Sequence, residues 1–95
     1  MPKKVVTSES SVVAVKEYVA TDLAGKTAIL GLKNRTYYTL DEVGSPIWEL
    51  IQKEASVEDI HRAMMQRYEV DSQQCEKDLL GFLQILADQG LIEVR

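Results

Sequence analysis

Residues 36–48 (TYYTLDEVGSPIW) place a short run of β-forming Thr and Tyr side chains directly before the start of a helix. The strand is expected to end at Leu40, because Asp41 is a good N-cap and Pro46 is tolerated only in about the first turn of a helix. A chain of 95 residues supports one core, which the strands and the helices have to share. The sequence therefore predicts a single α+β domain, in which this strand is a candidate docking edge.

Two earlier segments also have strand character. Residues 12–19 (VVAVKEYV) are β-branched and aromatic, and residues 26–32 (KTAILGL) carry apolar side chains on both faces. Turns are expected at residues 22–25 and around Asn34, a residue that tolerates a positive φ. Connections this short predict a three-stranded antiparallel meander.

Three helices are predicted in the second half of the chain. Each start is marked by a side chain that can accept a hydrogen bond from the first turn, at Asp41, Ser56 and Asp71. The first helix is expected to end near Lys53, and Gly90 is suited to the left-handed cap that ends the third.

The predicted third helix carries a wide apolar stripe. It includes Cys75, Leu79, Phe82, Leu83 and Leu86, which together span more than the ~100° that one core requires. Either the helix packs against both the sheet and the other helices, or the excess lines an apolar groove between this helix and the third strand. The stripe alone leaves both interpretations open.

The remaining composition indicates a soluble protein without a cofactor. Cys75 is the only cysteine, no Cys/His cluster has metal-ligand spacing, and nothing favours a catalytic pair with the only histidine, His61. A single cysteine fits a reducing cytoplasm, and no apolar run has signal-peptide length or the ~20 residues of a membrane span. Residues 1–11 are expected to be a flexible tail before one domain at residues 12–95.

Charge is divided unevenly along the sequence. Residues 1–40 contain six basic and three acidic side chains, for a charge of +3, whereas residues 41–95 contain five basic and twelve acidic ones, for a charge of −7. The net charge of −4 argues against nucleic acid as a partner, since that binding depends on clustered Lys and Arg. A basic sheet could still attract an acidic peptide.

Four segments in order, YYTLDEVGSPIWELI, SVEDI, RYEVD and DLLGFLQILADQGLIEV, resemble the PqqD-like family of peptide recognition elements in ribosomal-peptide biosynthesis. The resemblance covers residues 12–94 and implies a winged helix-turn-helix-like fold, with a three-stranded antiparallel sheet followed by three helices. A free-standing chain of this size looks most like the leader-binding subunit of lasso peptide maturation. The implied partners are a precursor leader peptide and a cysteine (transglutaminase-like) leader peptidase, with no membrane, metal or other cofactor involved.

The resemblance also implies a site for the leader peptide. The leader would add a strand to the sheet edge, and its apolar side chains would enter the groove beside the third helix. The implied edge residues are Thr36, Tyr37, Tyr38, Thr39 and Leu40, and the implied groove wall is Cys75, Asp78, Leu79, Phe82 and Leu86.

Three alternative functions stay open. A PqqD-type peptide chaperone for a radical SAM enzyme is similar enough in sequence to remain a candidate. Three helices with strands could also form a winged-helix DNA-binding regulator, although the acidic helical half disfavours it. A small enzyme is disfavoured because the sequence lacks a nucleophile–base set, a Gly-rich phosphate loop and a metal cluster.

Overall fold

The structure is a computed structural model that describes residues 5–32 and 35–95. The strands of these residues form two three-stranded antiparallel sheets, in the orders β5-β1-β6 and β2-β3-β4. The elements in chain order are β1 (Ser11–Ala14), β2 (Tyr18–Leu23), β3 (Lys26–Gly31), β4 (Tyr37–Leu40), α1 (Gly44–Leu50), β5 (Ala55–Ser56), α2 (Val57–Arg67), α3 (Ser72–Asp88) and β6 (Ile92–Val94).

The predicted antiparallel meander is the sheet β2-β3-β4. Its first turn is tighter than expected, since only Ala24 and Gly25 separate β2 from β3 and both have positive φ angles, of 53° and 85°. The second predicted turn contains Lys33 and Asn34, which lie outside the described residues, and Arg35, whose φ is 54°. The sheet that the sequence predicts is therefore present, and β4 is its last strand.

The prediction of one strand over residues 12–19 is wrong, because the chain leaves one sheet and enters the other within that segment. β1 pairs with β5 and β6, whereas β2 pairs with β3. Val12 and Ala14 are buried, so one face of β1 belongs to the core, whereas β2 is mostly exposed. Tertiary pairing separates two strands that look continuous in the sequence.

Residues 5–10 pack on the domain, although the sequence predicts a flexible tail there. Val6 is only 5% exposed, and its N–H donates to Gln84 Oε1 of α3 at 2.8 Å. The Ser10 carbonyl oxygen accepts the N–H of Val57 at 2.9 Å, which ties this segment to the start of α2. Val6 and Ser10 therefore hold the described part of this segment against the rest of the chain.

Two of the three helices start at their predicted caps, whereas the N-cap of α1 is Val43 instead of Asp41 and the Val43 side chain makes no capping hydrogen bond. Ser56 Oγ accepts the Asp59 N–H at 3.1 Å, and Asp71 Oδ2 accepts the Gln74 N–H at 2.9 Å, so α2 and α3 begin as predicted. Gly90 has a φ of 77°, the left-handed conformation expected after α3. α1 is shorter than predicted, since it ends at Leu50.

One core joins the two sheets and the three helices. Its largest fully buried side chains come from both sheets, from α2 and α3 and from the end of α1, which places a single apolar centre between all the layers. They are Val12, Ile29, Ile51, Val57, Ile60, Leu83 and Leu91.

Candidate functional site

β4 is an edge strand, because β3 pairs with one side of it and no described strand pairs with the other. The Gly31 N–H donates to the Thr36 carbonyl oxygen at 2.8 Å, which fixes the phase of the ladder. Since alternate residues of an antiparallel strand face the partner strand, the backbone groups of Tyr38 face β3 and those of Tyr37 and Thr39 face away from it. The free edge thus presents the N–H and C=O groups of two residues.

The side chains of the predicted edge divide between the two faces of the sheet. Leu40 is buried in the core, and Tyr38 is half-buried on the same face. The Tyr38 hydroxyl donates to Gln89 Oε1, just after α3, at 3.4 Å. Tyr37 and Thr39 are exposed on the opposite face, and Thr36 lies just before the strand. Both β4 residues with outward backbone groups therefore also have exposed side chains.

A groove of about 390 Å³ opens next to the end of β4. It lies between the residues that follow β4, the C-terminal end of α2 and the N-terminal half of α3. Tyr68 closes one side, where its hydroxyl donates to the Glu42 carbonyl oxygen at 3.4 Å. Apolar side chains form most of the wall: Val43, Ile47, Met64, Val70, Leu79 and Phe82.

Phe82 packs against Gly44, the first residue of α1, and no residue of β4 lines the groove. A Cβ atom at Gly44 would lie 3.0 Å from Phe82 Cζ and 3.4 Å from the Cβ of Leu40, the last residue of β4. The distance of 3.0 Å is shorter than ordinary van der Waals contact, so a side chain at Gly44 would require the Phe82 ring to shift. The aromatic ring thus forms a wall of the groove beside the start of α1.

Four of the five residues predicted for the groove wall line the groove, namely Cys75, Asp78, Leu79 and Phe82. Leu86 does not, since it is only 3% exposed and lies in the core. Its carbonyl oxygen accepts the Leu91 N–H at 2.9 Å, so it lies where the chain turns from α3 into β6 and beyond the end of the groove. The wide stripe of α3 therefore serves both the core and the groove.

The part of the groove wall that α1 and α2 supply was not predicted from the sequence. The sequence pattern places Met64 and Tyr68 on the apolar stripe of their helix and Ile47 in the core. Val43 and Val70 are the groove residues that the sequence could have indicated. Val43 lies two residues after Asp41 and Val70 directly before Asp71, and neither belongs to the apolar stripe of a helix. Both are largely exposed, at 50% and 46%.

The polar groups of the groove are few. Asp41 and Asp78 contribute carboxylates, Gln74 contributes an amide, and Cys75 contributes a thiol. Burial raises the pKa of the Cys75 thiol above its usual range, and the negative charge of Asp78 raises it further. The thiol is thus held in its protonated, poorly nucleophilic form. The chemistry of the groove suits binding of a largely apolar guest.

Comparison with known proteins identifies the family. The sequence profile of coenzyme PQQ synthesis protein D (PqqD) matches residues 26–92, from the start of β3 to the first residue of β6. The chain belongs to the PqqD family. The matched segment of this PqqD-family chain contains both the free edge of β4 and the whole groove.

A solved structure agrees with the family assignment. This PqqD-family chain is similar to TbiB1, which was determined in complex with the TbiA(beta) leader peptide. The two are 34% identical, with a TM-score of 0.80 over 85% of this chain and 94% of that chain, which confirms the predicted α+β fold. The comparison with curated proteins gives no match. Within the described residues, no helix is long and apolar enough to cross a membrane.

Proposed function

We propose that this PqqD-family chain is a non-catalytic adaptor that binds the leader segment of a ribosomally synthesised precursor peptide. The observation that carries the proposal is the free edge of β4 beside an apolar groove. The likeness to TbiB1, a protein that holds a leader peptide, supports the same function at 34% identity. The guest is a peptide in extended conformation, added to the sheet as a fourth strand next to β4.

Backbone and side chains have separate roles in this binding. The N–H and C=O groups of Tyr37 and Thr39 supply hydrogen bonds that any peptide sequence can use, so they contribute affinity. Alternate side chains of an added strand point to one face, where those next to the end of β4 can enter the groove. Phe82 and Leu79 then select apolar side chains by burial.

The second part of the proposal is delivery. By holding the leader, the adaptor raises the effective concentration of the scissile site for a partner leader peptidase. The resemblance to lasso peptide maturation favours a cysteine (transglutaminase-like) peptidase. In that role the chain accelerates cleavage of a precursor without contributing a catalytic group.

A second candidate function involves the same bound peptide but a different partner enzyme. The matching family is described by its part in coenzyme PQQ synthesis, which favours a peptide chaperone for a radical SAM enzyme. Reconstitution separates the two, because the chain should accelerate either leader cleavage by a peptidase or modification of the precursor by a radical enzyme. The binding site proposed above is common to both.

Selection from a library of random peptides tests leader binding and does not require the leader's own sequence. Immobilised protein is expected to enrich extended peptides with apolar residues at alternate positions, and calorimetry on the enriched peptides should give dissociation constants of about 10 µM or tighter, some 7 kcal/mol of binding free energy. Enrichment of no peptide by the folded domain would contradict the proposal.

Amide hydrogen exchange tests the place of binding. Exchange at Tyr37 and Thr39 is expected to slow when a selected peptide binds, since their N–H groups would gain acceptors. The amide of Tyr38 is the internal control, because it already faces β3 and should change much less. Equal protection of all three amides would indicate a general stabilisation of the sheet, and no protection would place the peptide elsewhere.

A further inference from the structure

The charges of the groove have one sign. Asp41 and Asp78 are its charged residues within the described part of the chain, and no Lys, Arg or His side chain lines it. Both side chains are exposed, so a charged group of a bound peptide can reach either carboxylate at the rim of this largely apolar groove. An ion pair at such an exposed site adds little affinity and acts mainly on the choice of guest.

The two carboxylates differ in how far the protein already uses them. Asp41 Oδ1 accepts the N–H groups of Val43 and Gly44 at 3.0 and 2.8 Å, so it caps the turn that leads into α1. Asp78 Oδ1 accepts the Gln74 side-chain amide at 2.8 Å, one turn earlier on α3. A neutral amide leaves the charge of Asp78 uncompensated and leaves lone pairs available for another donor.

The charge of Asp78 acts within the groove. Asp78 lines the groove, so its carboxylate lies on the surface that a guest would touch, and its negative charge also raises the pKa of the neighbouring Cys75 thiol. Val70 and Phe82 line the same groove and are apolar. A Lys or Arg side chain suits this combination, because its aliphatic stem can cover apolar surface while its charged end reaches a carboxylate.

We infer that Asp78 is a specificity-determining residue. It makes the groove prefer leader segments with a Lys or Arg two residues from an apolar anchor, meaning the large apolar side chain that fills the groove. The inference rests on the proposed function and adds a preference for particular side chains in the bound peptide. Acidic side chains at the same peptide position are disfavoured, since they would meet two carboxylates and no cation.

Selection with two variants tests the inference. The wild-type chain should enrich peptides that carry Lys or Arg two residues from an apolar anchor, and Asp78→Asn should lose that enrichment while it keeps the apolar one. Asp88→Asn is the matched control, because Asp88 also accepts a hydrogen bond from a glutamine one turn earlier, Gln84 at 3.0 Å, but lies outside the groove. This control should enrich the same peptides as the wild type.

Calorimetry then gives the size of the effect. Replacing the selected Lys by uncharged norleucine should weaken binding to the wild type and to Asp88→Asn by about two- to fivefold, and should leave binding to Asp78→Asn unchanged. Apolar peptides enriched with no preference for Lys or Arg, or with the same preference in Asp78→Asn, would overturn the inference and leave the proposed function intact. Enrichment of no peptide by any folded variant would overturn both.

Discussion

Thr39→Pro is expected to weaken leader binding by roughly 5- to 150-fold while the domain stays folded. The Thr39 N–H faces the free edge of β4, so its removal breaks no hydrogen bond within the sheet. Edge strands tolerate proline at such positions, and the extended conformation of Tyr38 suits a residue that precedes proline. A bound peptide, however, would lose a donor and keep a carbonyl oxygen without a partner, which costs about 1–3 kcal/mol.

Two controls make the Thr39→Pro experiment decisive. Thr39→Val keeps the N–H and the β-branched shape, so its dissociation constant should stay within about twofold of the wild type. Tyr38→Pro removes an N–H that faces β3, and it is expected to lower the unfolding midpoint far more than Thr39→Pro does. Full affinity in a folded Thr39→Pro variant would contradict strand addition at this edge.

The features that could be predicted from the sequence have local causes. The starts of α2 and α3 follow from Ser56 and Asp71, each of which caps a backbone N–H three residues later. The left-handed cap at Gly90 and the meander that ends in β4 likewise depend on residues close in sequence. Signals of this kind act over a single turn or hairpin, and the rest of the chain does not override them here.

The features that the sequence did not reveal depend on distant pairing. Residue 11 lies opposite Ser56, and Val12 lies opposite Val94, so the sheet β5-β1-β6 joins both ends of the described chain. Nothing in the continuous β-forming run of residues 12–19 indicates where the chain changes sheets. Only the partner strands determine that point.

The candidate site likewise has one wall that could be predicted from the sequence and one that could not. Its α3 wall could be predicted, because Cys75, Leu79 and Phe82 lie three or four residues apart and therefore share one helix face. Its opposite wall could not, since Ile47 and Met64 come from two other helices whose packing decides which apolar side chains reach the groove. The groove also ends before Leu86 because of packing, since Leu86 is buried in the core where α3 turns into β6.

Phe82→Ala is expected to weaken leader binding by about 1–3 kcal/mol, or roughly 5- to 150-fold in the dissociation constant. The ring lines the groove and packs against Gly44, so its removal takes away apolar area that a peptide side chain would bury. Because Phe82 is only partly buried, its loss should cost less than the ~3–5 kcal/mol of stability typical of a core Phe→Ala change. Calorimetry with a selected peptide, together with urea unfolding, measures the two effects separately.

Ile85→Ala is the matched control for Phe82→Ala, because it shortens an apolar side chain on the same helix, three residues away. Ile85 is 62% exposed and lies outside the groove, so the dissociation constant of this variant should stay within about twofold of the wild type. Equal losses of affinity in both variants would mean that α3 affects binding through the stability of the domain. A loss confined to Phe82→Ala in a folded protein would place the peptide side chain against that ring, since the two variants differ in the face of α3 that they alter.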